Sequence, residues 1–115
     1  MDNATFQAMY ERATREGQAI RERGLYAIDA RIEAGPDGDL IVIRYANGSE
    51  FRIPARLVQD VHDLSPEQLR HMTLGEPGNT LFWEEEGRDA YIPGLVSGCY
   101  GTRAWMQGLK EAAPA

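Results

Sequence analysis

The chain has 115 residues, 43% of them hydrophobic and 26% charged, with 12 basic against 18 acidic side chains for a formal net charge of −6. That length holds one domain of ordinary globular composition and not two, and the single cysteine, Cys99, excludes an intrachain disulfide. No apolar run approaches the ~18 residues of a membrane span, and the first residues lack the basic and apolar regions of a signal peptide, so the expectation is a cytoplasmic protein with no membrane contact.

The first expected element is a helix from about Ala4 to Arg23. Phe6, Met9, Tyr10, Ala13, Gly17 and Ile20 recur every three or four residues and form one apolar stripe. Asn3 suits the N-cap and Gly24 the C-terminal stop. Gly17 costs helix stability within the stripe, which close approach to another backbone would explain. The stripe packs either on the chain's own sheet or on a second copy about a two-fold axis. In the second case these six residues are the homodimer interface.

Three strand-like runs follow. Tyr26, Ile28, Ala30 and Ile32 alternate with more polar neighbours up to the turn Gly35-Pro36-Asp37-Gly38. Leu40 to Tyr45 is rich in β-formers, and Glu50 to Ile53 is a shorter run. Asn47-Gly48 between them signals a hairpin. A two-residue loop would set Arg44 against Phe51 and Ile43 against Arg52, mixing charge with apolar groups on both faces. A three-residue loop, Ala46-Asn47-Gly48 with Gly48 left-handed, sets Ile43 against Phe51, Ile41 against Ile53 and Arg44 against Glu50. The second register is preferred. It leaves Leu40 and Val42 on the opposite face, needing cover.

Pro54 ends the third strand. Leu57, Val58 and Val61 suggest a short helical stretch, and Ser65-Pro66-Glu67-Gln68 is a helix start, with serine at the N-cap, proline at N1 and glutamine at N3. Gly75, Pro77 and Gly78 keep that helix short. Leu81-Phe82-Trp83 and Ala90-Tyr91-Ile92 read as a second hairpin, joined through Glu86-Gly87-Arg88. Leu95 and Val96 add a helical piece. Trp105, Met106 and Leu109 form the apolar side of a last helix from Thr102 to Leu109, and the alanine-rich tail is expected to fray. The expected class is α+β in a single domain over 1–115. Its parts are an N-terminal helix (1–24), an α+β body (25–100) holding a three-stranded antiparallel meander, a short helical insertion and a second β-hairpin, and a C-terminal helix with tail (101–115).

Three stretches carry a family resemblance: Asn47-Gly48-Ser49-Glu50-Phe51-Arg52-Ile53-Pro54, a turn followed by a hydrophobe and proline; Gly78-Asn79-Thr80-Leu81-Phe82-Trp83, an apolar alternation ending in tryptophan; and Asp89-Ala90-Tyr91-Ile92-Pro93-Gly94-Leu95-Val96-Ser97-Gly98. From about Leu40 to Gly98 the chain resembles the bacterial domain of unknown function 2442. The turn departs from the family's usual Asp-Gly-Arg, and Glu84 follows Trp83 where proline is usual. The resemblance implies a small α+β fold. Some members carry an added helix-turn-helix and some sit beside toxin-like partners, so it also implies antitoxin-like or regulatory roles. It brings no catalytic residues.

Charge is unevenly placed. Residues 1–24 are neutral, with Arg12, Arg15, Arg21 and Arg23 read as a solvated helix face paired within the helix. Residues 25–92 carry six basic and thirteen acidic groups, a balance of −7, and residues 93–115 carry +1. Such a body repels phosphate backbones, so direct nucleic-acid binding is not expected.

The chemical candidates are few. His62 and His71 match no metal-ligand spacing and read as surface or helix-end histidines. Cys99 reads as a small hydrophobe without a base beside it. Gly98 to Thr102 lacks a phosphate-loop spacing and reads as a turn and N-cap. The densest cluster is Glu84, Glu85, Glu86 and Asp89, directly after Trp83. If the strand continues, Glu84 and Glu86 share a face and Glu85 points away. The cluster suits a partner-binding edge with Trp83 as aromatic anchor, and otherwise a solvated strand end.

These features favour a small acidic, non-enzymatic protein-binding module, antitoxin-like or regulatory, whose partner is a basic protein. No cofactor and no metal are expected. One alternative is an inhibitor that mimics nucleic acid and blocks a nucleoprotein complex. Another is a small enzyme using the Glu84–Asp89 cluster or Cys99.

Overall fold

Alternation along the first half of the chain becomes a meander of three antiparallel strands: β1 (Ala27–Gly35), β2 (Gly38–Tyr45) and β3 (Glu50–Pro54). The computed structural model describes Arg15 and residues 26–112. The expected helix over Ala4–Arg23, with its face of Phe6, Met9, Tyr10, Ala13, Gly17 and Ile20, lies outside the described residues apart from Arg15, as does the end of the tail.

The β2–β3 register is the one the charge and apolar pattern selects. Ile43 pairs with Phe51, Ile41 with Ile53 and Arg44 with Glu50. Tyr45 N–H donates to Ser49 O at 2.9 Å, and Gly48 sits at φ 90°. Asn47 Oδ1 accepts from the Ser49 amide at 2.9 Å, fixing the loop from within.

The opposite face of this sheet has its own device. Val42 is fully buried although it lies outside the central cluster. Its cross-strand neighbours are Arg31 on one side and Arg52 on the other. Arg31 reaches Glu33 at 2.7 Å and Glu50 at 3.2 Å, while Arg52 reaches Glu33 at 3.3 Å and Glu50 at 3.6 Å. Four charges alternate in sign around a closed ring. The Arg31 guanidinium, hydrogen-bonded to Glu33, holds that carboxyl below its ordinary range.

A 3-10 turn (Ala55–Leu57) leads into the short helix α1 (Pro66–Leu69). Its capping box is complete: Ser65 Oγ accepts from Gln68 N–H at 3.1 Å, and Gln68 Oε1 accepts from Ser65 N–H at 2.9 Å. Arg70, just beyond, donates to both oxygens of Asp39 at 3.2 Å and ties the insertion to the first hairpin.

The second hairpin is a three-stranded sheet: β4 (Thr73–Gly75), β5 (Thr80–Trp83) and β6 (Arg88–Tyr91), in that order. The reading in chain order missed β4. Three residues ahead of a proline and glycine turn offer no period to detect. Ile92, expected to close β6, instead begins helix α2 (Ile92–Val96). Helix α3 (Arg103–Ala112) ends the description. Its first turn is capped by Thr102, whose Oγ1 accepts from Trp105 N–H at 3.2 Å, and Trp105 Nε1 donates to Leu57 O at 2.8 Å. Trp105, Met106 and Leu109 are half-buried, the rest of the helix exposed.

One cluster of buried side chains serves both sheets. Ile41, Ile43 and Ile53 come from the first, Leu81, Trp83 and Ala90 from the second, Val58, Val61 and Leu69 from the connection, and Ile92 and Leu95 from α2. Each large aliphatic chain so buried contributes about 1.5–3 kcal/mol against solvent exposure. The sheets also join by backbone. Ala27 N–H donates to Gly78 O at 3.1 Å, and Gly78 holds φ 91° against the Ala27 backbone, where a Cβ would collide.

Candidate functional site: an acidic edge around His71 and Arg88

β5 ends at Trp83, and the next four residues, Glu84 to Gly87, form a turn closed by Gly87 N–H to Glu84 O at 3.2 Å. Gly87 takes φ 67°, a conformation glycine adopts without strain. Strand alternation therefore stops before the three glutamates. The expected pairing of Glu84 with Glu86 on one face is corrected: Glu85 and Glu86 instead converge on His71. His71 Nδ1 lies 2.7 Å from Glu86 Oε1 and 3.3 Å from Glu85 Oε2. These contacts raise the His71 pKa, chiefly through the hydrogen bond to Glu86, with Glu85 and Glu67 adding their negative charge.

Burial divides the pair. Glu85 is open to solvent, whereas the Glu86 side chain is only 8% exposed and its Oε2 is buried with no hydrogen-bond partner among the described residues. His71 is 44% exposed.

Trp83 is corrected as well. It is completely buried, and its Nε1 donates to Leu69 O at 2.8 Å. It anchors the core beneath the turn and presents nothing to a partner. The position after an apolar alternation gave the tryptophan its buried side, since Leu81 and Trp83 share the inward face while Phe82 faces out.

A second group of charges lies along the same edge. Arg88 forks onto Asp63 at 2.8 and 3.1 Å and donates to Asp60 O at 2.6 Å. The guanidinium holds the Asp63 carboxyl at about 2, against an ordinary 3.8. Asp60 moves the other way: burial pushes its carboxyl up, the charge of Asp89 adds to that, and Arg88 opposes it. Asp60, Asp63, Glu67, Glu85 and Glu86 thus stand around Arg88 and His71, with Glu84 and Asp89 next to them in the chain and His62 4.0 Å from Asp63, and the carboxylates outnumber the basic groups.

Neither His71 nor the Asp60–Asp63–Arg88 group stood out as part of this edge in the sequence. The β4–β5 register pairs Thr73 with Phe82 and Leu74 with Leu81. Continued by two residues, it brings His71 opposite Glu84. Recognition of β4 would have shown the histidine beside the glutamates.

Two cavities lie elsewhere. One of about 440 Å³ is lined by Tyr45, Phe51, Ile92, Pro93 and Val96 among others, and one of about 560 Å³ lies where β1 meets β4, around Ala27, Leu74 and Gly78. A third, of about 210 Å³, lies around Asp39, Arg56 and His62. None of the three is lined by Glu84, Glu85, Glu86, Asp89 or Cys99. Cys99 is exposed, with its Sγ 3.6 Å from Gly101 O. No described helix is long and apolar enough to cross a membrane.

Two antiparallel three-stranded sheets sharing one core, with short helices between and after them, define a small α+β protein. Residues 31–101 match the family model described as a protein of unknown function, DUF2442, and the chain belongs to that family. The fold is shared with a protein of unknown function from Rhodospirillum rubrum, at 33% identity and TM-score 0.63 over 70% of this chain and 95% of that one. It is shared too with an uncharacterised protein from Chromobacterium violaceum, at 24% identity and TM-score 0.67 over 88% of this chain and 90% of that one. Among curated proteins no match was found.

Proposed function

We propose that the protein is a non-enzymatic recognition module that binds a basic protein partner through the edge around His71 and Arg88, in an antitoxin-like or regulatory role. The observation that carries this reading is the excess of negative charge there: seven carboxylates stand with one arginine and two histidines, and the charge of Asp89 disfavours that of Asp60. A structural role would favour neutralising such groups, while a docking surface gains from keeping them. Clustered negative potential accelerates encounter with a basic surface and fixes its orientation. Glu84, Glu85 and Asp89 are exposed and available for such contacts.

The test compares the chain with its Glu84→Lys/Glu85→Lys/Asp89→Lys variant, each immobilised and offered the same bacterial extract at low salt. Basic proteins held by the parent, released by salt and lost from the variant are the expected result. Retention that is indifferent to the reversal overturns the proposal.

A further inference from the structure

We propose that His71, Glu85 and Glu86 form a binding site for a first-row divalent transition metal ion, of which zinc is the best match. The nitrogen of His71 and one oxygen from each glutamate lie within 4.8 Å of one another. Zinc bonds imidazole nitrogen and carboxylate oxygen at about 2.0–2.2 Å, so tetrahedral ligands stand about 3.4 Å apart. His71 to Glu85 already measures 3.3 Å, and His71 to Glu86, at 2.7 Å, needs to open by about 0.7 Å to reach that spacing.

An independent observation points to a cation. The Glu86 side chain is more than nine-tenths buried, yet its Oε2 has no partner among the described residues. Buried carboxylate oxygens are normally satisfied, and an orphan calls for a missing counterpart. The hydrogen bond from His71 serves Oε1 alone. A metal ion in place of the His71 Nδ1 proton would sit against Oε1 with Oε2 on the same carbon beside it, and the two oxygens together would chelate it.

The donor set selects the class of ion. Imidazole favours zinc and its first-row neighbours over magnesium and calcium, which prefer oxygen alone. Three protein ligands leave a fourth position for water or for a donor from outside the chain. The turn that carries Glu85 and Glu86 is anchored by the buried Trp83 on one side and Arg88 on the other, and burial holds the Glu86 carboxylate in place while the exposed Glu85 is free to adjust to the ion. The site lies within the edge assigned to partner binding, but metal binding is read on the isolated chain, so failure of either proposal shows separately.

The experiment is calorimetric titration of Zn²⁺ into the chelator-stripped full chain carrying Cys99→Ser, which removes the exposed thiol as a competitor. The expected result is saturable binding of one equivalent, with magnesium giving none, and NMR shifts centred on His71 and residues 84–87. His71→Ala, Glu85→Gln and Glu86→Gln are each expected to weaken binding by about tenfold or more, while His62→Ala leaves it unchanged. The two exposed positions, His71 and Glu85, keep the test decisive if the Glu86 variant does not fold. No saturable binding, or binding equally tight in His71→Ala, overturns the proposal, as does equal loss in His62→Ala, which marks adventitious capture by surface histidines.

Discussion

Trp83 shows how one residue can be located correctly in sequence and given the wrong role. Its indole is buried under the acidic turn, with Nε1 on the Leu69 carbonyl. Trp83→Phe removes that hydrogen bond and leaves the carbonyl with the Met72 amide alone, at 3.2 Å, and chemical denaturation should show a loss of about 0.5–1.5 kcal/mol. Arg88 acts at the same edge through charge. Asp63 owes its pKa of about 2 first to the hydrogen bond from Arg88. Arg88→Met should therefore return the Asp63 carboxyl towards 3.8, read by NMR titration of the side-chain carbonyl. The sign follows from linkage: a depressed carboxyl pKa stabilises the fold above the ordinary value, and that stabilisation is lost as pH falls towards 2. The parent should retain the pair at pH 3, where the variant no longer has it.

At the scale of elements, the first sheet was almost fully legible and the second was not. The β2–β3 register followed from avoiding an Arg–Phe pairing, because a one-residue slip would exchange the faces of every side chain. The capping box at Ser65 was likewise written in four residues. The charge ring on the face of Val42 was not legible. Arg31 and Glu33 come from β1 and Glu50 and Arg52 from β3, so the ring spans β2 and forms only once the register is set. Val42→Thr, which places a hydroxyl at a fully buried position, should cost about 1–3 kcal/mol. Arg44→Ala, on the same face but exposed, should stay within about 0.5 kcal/mol; thermal melts of the two variants separate them. β4 escaped notice because three residues show no period, and its absence hid the neighbourhood of His71. The contact between sheets is equally narrow at Gly78, where the left-handed backbone alone costs a substituted residue about 1–3 kcal/mol. Gly78→Ala adds a collision with the Ala27 backbone, so its denaturation midpoint should fall by more than that of Gly48→Ala, whose Cβ would meet open space.

Across the whole molecule, the net charge of −6 is resolved into two patterns. On the outer face of the first sheet, charges of both signs alternate and neutralise one another. Along the edge from Asp60 to Asp89 they do not, and the excess of carboxylates over Arg88 and His71 is what the recognition proposal rests on. Composition located that excess in residues 25–92, and the density at Glu84 to Glu86 marked one end of it. The contributions of Asp60, Asp63 and His71 depended on the packing of the insertion against the second sheet, which no local pattern encodes.

The direct measurement is a ¹⁵N-resolved NMR titration of the intact chain, at low salt, with an arginine- and lysine-rich peptide that carries no other recognition feature. The account predicts saturable shifts confined to residues 60–63, 71 and 84–89, fading as salt is raised. Shifts spread over the outer face of the first sheet, or no shifts at that edge, would contradict it.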